Sequence, residues 1–270
     1  MELGANHMTF GLGFNFGFNQ HQQSSGGAAA PSMPAFWAAG AVTLYSNPSV
    51  ADNVRISDTD KVDELANEGT AATDWAGALT ARPAYSATSL NGKPGITYDG
   101  SNDVLTNALR ANQVLANAAD DGYFGGTIAC VVRFAALPSA GTRRDFLSIP
   151  TAGYGPLQVR NVGGQGSIVY EKGGLVLLSR NISVNTNYLV VWRCNSDGDH
   201  FLSVNGGTED SAPAAGDPGG QTGTLQAGGD GGNAGFAACI MGKVWVSKAV
   251  AGASDISALV TYLQAIGELA

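Results

Sequence analysis

Leu90–Leu105, which reads LNGKPGITYDGSNDVL, is the stretch of the chain that decides the fold. It contains two turn signals, Asn91-Gly92 and Asp99-Gly100, because Asn, Asp and Gly enter the positive-φ region of tight turns at the least cost. Between them, Gly95–Tyr98 alternates small residues with large apolar ones, which is the period of a strand with one buried face. The stretch therefore predicts a turn, a short strand and a second, polar turn.

Three features around this stretch occur in a fixed order. Arg82-Pro83 comes first, the tetrapeptide NGKP follows at 91–94, and DGSNDVL at 99–105 comes after the strand. This order resembles the concanavalin A-like, laminin G-type jelly-roll domains that are common in virion proteins of tailed bacteriophages. The resemblance implies an all-β jelly-roll sandwich with a short C-terminal helix. It also implies a virion structural protein on the head or tail surface, such as a head decoration protein, a head fibre or a tail component.

The composition excludes several classes of function. Of 270 residues, 38 are glycine, 44% are hydrophobic and 13% are charged, which favours short strands joined by many turns. With 14 Lys and Arg against 22 Asp and Glu, the formal net charge is −8. We therefore expect no nucleic-acid partner and no adsorption to an anionic membrane. No apolar run approaches the roughly 20 residues of a membrane-spanning helix, so no membrane insertion is expected.

The N-terminal residues predict a separate arm, Met1–Ala30, ahead of the domain at 31–270. Its apolar residues alternate with glycine and asparagine, which indicates a strand with one very apolar face; these residues are Phe10, Leu12, Phe14, Phe16 and Phe18. Such a strand needs a partner sheet, and two interpretations are open. Because a polar segment separates it from the domain, we favour an arm that anchors the chain to other virion proteins over an edge strand of the same domain. An arm that needs partner strands is consistent with a homo-oligomer, and the resemblance offers a trimer as one option.

Four other segments carry expectations that a structure can test. Val54–Ser57 and Val62–Leu65 fit a weak helix or two short strands, and the resemblance favours strands. Asn107–Ala119 has Ala and Leu at helical spacings and predicts a short helix or loop. Glu209–Gly235 is rich in Gly and Pro and predicts an exposed loop. Ser254 is the expected N-cap of the final helix.

Motifs for catalysis are missing from the sequence. Its six glutamates form no closely alternating acidic motif of the kind that glycan-cleaving enzymes on related jelly rolls display. No nucleophile elbow, phosphate loop or His-Glu-x-x-His is present either. His200 follows a polar turn and is interpreted as a solvated turn residue. The cysteines at 130, 194 and 239 lie in apolar contexts and predict buried thiols rather than zinc ligands. We therefore predict no enzymatic activity, no catalytic residues and no required cofactor.

Calcium is the one cofactor for which the sequence offers ligands, because many lectin-like jelly rolls hold this ion at the rim of a sheet. Two polar turns could supply hard oxygen ligands; the candidates are Asp99, Asn102, Asp103, Asp197 and Asp199. The simpler interpretation is that these residues occur there because turns prefer them. On that interpretation the carboxylate of Asp99 gathers the backbone N–H groups of its turn.

Carbohydrate recognition would need an exposed aromatic side chain beside amide or acid partners. Trp75, next to Asp74 in a predicted loop, is the candidate for glycan contact. Trp192 and Trp245 are flanked by apolar strand residues and are predicted to lie in the core. The alternative function is therefore a receptor-binding or carbohydrate-binding adhesion module at a fibre or tail tip, with host-surface glycan as its ligand.

Overall fold

The computed structural model describes residues 31–58, 60–110, 116–117, 124–148, 154–172, 175–213, 223–229 and 235–269. The predicted arm, with its anchoring residues between Phe10 and Phe18, lies outside these ranges. The described strands are β1 Leu44–Ser46, β2 Val54–Asp58, β3 Lys61–Leu65, β4 Trp75–Gly77, β5 Ala84–Leu90, β6 Lys93–Asp99, β7 Leu105–Arg110, β8 Ala116–Asn117, β9 Phe124–Arg133, β10 Arg143–Ser148, β11 Tyr154–Val162, β12 Gln165–Lys172, β13 Leu175–Ile182, β14 Asn187–Cys194, β15 His200–Val204, β16 Asp210–Ala212, β17 Thr224–Ala227 and β18 Ala238–Ser247. A 3₁₀ turn at Ala35–Trp37 precedes β1, a second at Ala51–Asn53 lies between β1 and β2, and one α-helix, α1, spans Ala253–Ala265.

The turn signal at Asn91-Gly92 forms a tight hairpin, as predicted. Asn91 has φ 51° and Gly92 has φ 79°, and Leu90 lies opposite Lys93 where β5 passes into β6. Successive positive φ angles match the twist of the two strands and favour Asn-Gly at this position. The predicted strand is β6, with Ile96 and Tyr98 both buried. Burial raises the pKa of the Tyr98 hydroxyl well above its ordinary value.

The strands form two antiparallel layers that face each other. The helix-side layer has the order β16-β15-β14-β9-β18-β6-β5, and β1 shares with β6 the second edge of β18. The opposite layer has the order β2-β3-β4-β7-β17-β10-β11-β12-β13, and β3 also pairs with β5 through Lys61 and Ala84. Side chains of both layers meet in one apolar core, which includes Ile128 and Trp192 from one layer and Leu157 and Ile168 from the other. The described fold is therefore an all-β antiparallel sandwich with a C-terminal helix.

The central strand β9 is covered on both faces, as its continuous apolar run predicts. Ile128 and Cys130 point into the core between the layers. Ala129 and Val131 point the other way and pack in a second cluster, which contains Leu259 of α1. The helix therefore covers the outer face of its layer. No helix in the described ranges is long and apolar enough to cross a membrane.

The segment after α1 is fixed to the same layer by a buried ion pair. Lys243 of β18 and Glu268 pair with each other, and both are only 3% exposed. The side-chain amide of Asn187 donates to the backbone carbonyl of Glu268 at 2.9 Å. Burial lowers the pKa of Lys243, although the Glu268 carboxylate opposes that shift. The ion pair with β18 and the hydrogen bond from β14 together hold the segment after α1 against these two strands.

Two predicted non-strand segments contain strands, which corrects the prediction. The helix or loop expected over 107–119 begins within β7, whose Asn107 side chain donates to the Thr73 carbonyl at 2.8 Å. The loop expected over 209–235 contains β16 and β17, and β17 pairs with both β7 and β10. Leu225 of β17 is fully buried. In both cases pairing between distant segments overrides a weak local signal.

Smaller expectations divide between confirmed and wrong. The two-strand interpretation at 54–65 is confirmed by β2 and β3. All three cysteines are buried, as predicted. The helix is capped two residues earlier than expected, at Gly252, whose N–H donates to the Asp255 carboxylate at 2.9 Å. His200 is not a solvated turn residue, because it is 3% exposed and stacks on Trp192 with ring centroids 5.8 Å apart.

Candidate ligand-binding cleft

The first group of calcium candidates is built into the turn after β6. The Asp99 carboxylate accepts hydrogen bonds from the N–H groups of Ser101 at 2.7 Å and Asn102 at 3.3 Å. Asp103 accepts from the N–H of Asp99 at 2.9 Å and is almost fully buried, which raises the pKa of its carboxyl group. The Asn102 amide donates to the Thr80 carbonyl at 2.8 Å. These contacts give the turn its shape and agree with the structural interpretation of Asp99.

The second group of calcium candidates lies in a different turn, between β14 and β15. There the organising side chain is Asn195, whose amide oxygen accepts from the N–H groups of Asp197 at 3.0 Å and Asp199 at 2.8 Å. The two groups of candidate oxygen ligands therefore belong to two separate turns. Among the described residues, no three His, Cys, Asp or Glu side chains form a group that could hold a metal ion.

A cleft of about 240 Å³ opens beside the first of these turns. We call it the Arg144 cleft; its lining residues are Asp99, Gly100, Ala136, Leu137, Pro138, Ser139, Arg144, Val159, Phe236, Ala237 and Ala238. Polar and apolar groups contribute about equally to its walls, and the polar groups include the guanidinium of Arg144 and the carboxylate of Asp99. An arginine offers up to five N–H donors in a planar fork that suits carboxylate and hydroxyl groups.

The segment before β18 is fixed against β10, which places Phe236 in the cleft wall. The N–H of Asp145 donates to the Gly235 carbonyl at 3.0 Å, and the N–H of Ala237 donates to the Asp145 carbonyl at 3.1 Å. Gly235 has φ 75°, and a β-carbon there would lie 3.2 Å from the Arg144 side chain. The glycine therefore allows the chain to pass close to the guanidinium.

Two buried carboxylates share one face of the opposite layer, and sequence reasoning did not find them. Asp145 is 2% exposed and accepts from the Gln158 amide at 2.7 Å. Glu171 is 5% exposed and pairs with Arg143. The register of β10, β11 and β12 brings the two carboxylates to the same outer face of the sheet. They are 26 residues apart and form no alternating motif, so no local pattern in the sequence could predict that they lie together. Each carboxylate already binds a neighbouring side chain of the domain.

Trp75 is not a surface residue, which corrects its prediction as a glycan contact. It lies in β4 between β3 and β7, is 1% exposed, and packs in the core between the layers. Its indole N–H donates to the hydroxyl of Ser46 at 2.7 Å. Trp192 and Trp245 are buried as predicted. The described aromatic residue that lines the Arg144 cleft is Phe236, which the sequence analysis did not select.

Comparison with known proteins identifies the fold and no family. No protein-family model matches the chain, and no curated protein matches it. Among solved structures, the Trypanosoma rangeli sialidase in complex with sialic acid matches with a TM-score of 0.57 and 14% identity, over 88% of this chain and 34% of the sialidase chain. The binding domain of Paraclostridial Mosquitocidal Protein 1 matches with a TM-score of 0.54 and 12% identity. The Botulinum Neurotoxin Type G receptor binding domain matches with a TM-score of 0.52 and 10% identity.

These matches extend over most of this chain but over only part of each relative. The matches to the two toxin structures cover 81% and 82% of this chain, and in each case 51% of the toxin structure's own chain. The chain thus spans about a third of the sialidase and about half of each toxin structure. At 10–14% identity the likeness shows a shared β-fold and no more.

Proposed function

We propose that this chain is a non-enzymatic structural protein of a bacteriophage virion, displayed on the head or tail surface. Residues 31–270 would form a jelly roll of the concanavalin A-like, laminin G type. The observation that carries the proposal is that acidic side chains of the described domain bind other groups of the same domain. Glu171, Glu209 and Glu268 each pair with a basic residue, and Asp99 and Asp103 hold a turn. Acids arranged in this way stabilise a scaffold.

The second part of the proposal is the arm, Met1–Ala30. A strand with phenylalanine on one face and glycine on the other cannot remain solvated, because its apolar face and its backbone N–H and C=O groups both need partners. Another virion protein or another copy of this chain would supply the sheet edge. Strand addition of this kind gives affinity through the main chain and specificity through pockets for alternate side chains. Homo-oligomers, trimers among them, fit such an arm.

Deleting Met1–Ala30 is expected to abolish incorporation of the protein into particles while leaving the domain folded. Substituting Phe14 and Phe16 with serine should have the same effect, because it removes two of the five apolar side chains of the predicted strand. Asn15→Ser is the matched control, since it changes the opposite face of that predicted strand and should be incorporated normally. Quantitative immunoblotting of purified particles measures incorporation, and circular dichroism measures folding. Normal incorporation of the truncated protein would contradict the anchoring role.

The Arg144 cleft favours a second candidate function, which is binding of host-surface glycan through an acidic or hydroxyl group. Two of the structural relatives are named as binding domains, and we propose that this chain also binds a ligand, through the Arg144 cleft. Phe236 would offer an apolar wall, and the guanidinium of Arg144, which also donates to the Arg143 carbonyl at 2.9 Å, would offer N–H donors.

Arg144→Ala is expected to weaken attachment of the protein to host cells at least about tenfold, because a lost charge-assisted hydrogen bond costs about 1.5–3 kcal/mol. Arg55→Ala is the control with the same change of charge, at a side chain that is 66% exposed and is not among the residues that line the cleft. Flow cytometry with labelled protein measures attachment. Equal attachment of wild type and Arg144→Ala would remove this second function and leave the structural one untouched.

A further inference from the structure

We infer that a second pocket, on the helix side of the sandwich, binds a neutral hydroxylated ligand such as a single sugar unit. It lies between the turn that joins β15 to β16 and the first turn of α1, and it has a volume of about 280 Å³. We call it the Ser203 pocket; its lining residues are Ser203, Gly206, Gly207, Thr208, Glu209, Ala253, Ile256 and Ser257. It shares no lining residue with the Arg144 cleft, so the inference is independent of the function proposed for that cleft.

Ser203 is the residue that points to a ligand. Its neighbour Leu202 faces the core between the layers, so Ser203 faces outward, on the side of its pairing partner Val191, which packs in the cluster beneath α1. Ser203 is 1% exposed, and its hydroxyl has no hydrogen-bond partner among the described residues. Buried hydroxyl groups in proteins are nearly always paired. A ligand hydroxyl in the pocket would supply the missing partner.

A glycine pair in the turn allows the turn to pack closely against α1 beside the pocket. Gly206 has φ 67°, and a β-carbon there would lie 2.9 Å from Val260 of α1. The preceding residue, Asn205, fixes the turn to β14, because its N–H donates to the Leu189 carbonyl and its amide oxygen accepts from the Leu189 N–H, both at 2.8 Å. The space between turn and helix is therefore shaped by a rigid backbone.

The charges around the pocket select the class of ligand. Glu209 is held by Arg193 through two contacts, at 2.8 and 2.5 Å, and the Arg193 guanidinium lies 4.0 Å from the centre of the Phe201 ring. One carboxylate therefore lines the wall, and Asp255 caps the helix beside it. No basic residue is among those that line the pocket, and the Asp255 carboxylate already lies at the start of the helix, so the pocket disfavours an anion although the helix N-terminus alone would favour one.

A neutral polyol suits the remaining groups. The carboxylate of Glu209 accepts hydrogen bonds, and the hydroxyls of Ser203 and Ser257 both donate and accept them. Ile256 contributes an apolar side to the wall. Sugars present this combination of hydroxyl groups and an apolar ring face, so a sugar unit is the class that we assign to the pocket.

The test is a titration of the full chain with glucose, galactose, mannose, N-acetylglucosamine and, separately, inorganic phosphate, followed by the amide resonances of the pocket residues. We expect one of the sugars to produce saturable shifts at Gly206, Gly207 and Ser257 at concentrations up to about 100 mM, the range of weak sugar binding. Ser203→Ala should weaken that affinity about tenfold, since it removes one buried hydrogen bond. The melting temperature of this variant should stay the same or rise, because the variant removes an unpaired polar group.

Ser179→Ala is the control, since Ser179 is exposed on β13 in the opposite layer and should leave affinity unchanged. Three outcomes would overturn the inference. They are no saturable shift with any sugar, sugar binding that Ser203→Ala leaves unchanged, and binding of phosphate in place of sugar. In the first of these cases, a fall in the melting temperature of Ser203→Ala would assign the hydroxyl to an ordered water only.

Discussion

Trp75→Ala is expected to destabilise the domain by about 3–5 kcal/mol, because it removes a large buried ring and leaves a cavity between the layers. A further loss of about 1–3 kcal/mol follows from Ser46, whose buried hydroxyl loses the indole N–H as its partner. Together these losses approach the whole stability of an average domain, which is about 5–15 kcal/mol. Urea titration followed by tryptophan fluorescence and circular dichroism measures the free energy of unfolding.

Trp75→Phe keeps the prediction testable if the alanine variant does not fold. The smaller ring still fills most of the site but cannot donate to Ser46 at 2.7 Å, so a loss of about 1–3 kcal/mol is expected. The double variant Trp75→Phe/Ser46→Ala should recover part of that loss, because both polar partners are then gone. A surface role for Trp75 predicts the opposite pattern, in which the alanine variant keeps its stability and loses attachment to cells. That pattern would contradict the buried position described above.

Lys243→Met is expected to cost about 3–5 kcal/mol, because it leaves the carboxylate of Glu268 buried without its counter-charge. Glu268→Gln should cost a similar amount by leaving the ammonium group of Lys243 unpaired. The double variant Lys243→Met/Glu268→Leu should lie much closer to wild type, since buried ion pairs are often replaced by apolar groups at little cost. A double-mutant cycle of unfolding free energies measures the coupling. Independent losses that simply add would show that the two side chains do not act as a pair.

The same lysine should give the stability a recognisable dependence on alkaline pH. Burial lowers the pKa of Lys243 in the folded chain, whereas the pKa of an unperturbed lysine is about 10.4. At any pH between these two pKa values, Lys243 is protonated in the unfolded chain and deprotonated in the folded chain. In this window the unfolded state binds more protons, so the contribution of Lys243 makes stability rise with pH. Lys243→Met should lack this rise when the two proteins are unfolded in parallel from pH 8 to 10. Identical pH slopes would show that the pKa of Lys243 is not lowered.

Local chemistry accounts for the parts of the fold that the sequence predicted. The β5–β6 hairpin depends on two residues with positive φ that adjoin in the chain, and β9 depends on an apolar run that allows no exposed face. β7 and β17 depend instead on each other, through pairs such as Thr106 with Gln226. Their own residues carry little strand preference, so no window of local sequence could reveal them. Pairing between segments that lie more than a hundred residues apart in the chain determines that β7 and β17 form strands.

The candidate sites were harder to predict than the fold, for the same reason. Asp74 beside Trp75 suggested a solvated loop, whereas Ser46, which accepts the hydrogen bond of the Trp75 indole, lies 29 residues away. The Arg144 cleft joins the end of β6, the loop after β9, β10, β11 and the segment before β18. Of its lining residues only Asp99 had been selected from sequence, and it was selected for a different reason. A polar residue indicates a turn locally, but a cleft exists only once distant segments meet.

The pairing of β18 has a consequence for how the protein is made. This strand lies between β9 on one side and β6 with β1 on the other, so the helix-side layer has no continuous hydrogen-bonding until residues 238–247 are in place. On the ribosome, β9 must therefore wait for more than a hundred further residues to be synthesised before its second edge is covered. Unpaired strand edges and exposed apolar faces promote aggregation during such delays. Formation of this layer should consequently follow release of residue 247 from the ribosomal exit tunnel, and until then chaperones that bind exposed strands would protect the nascent chain.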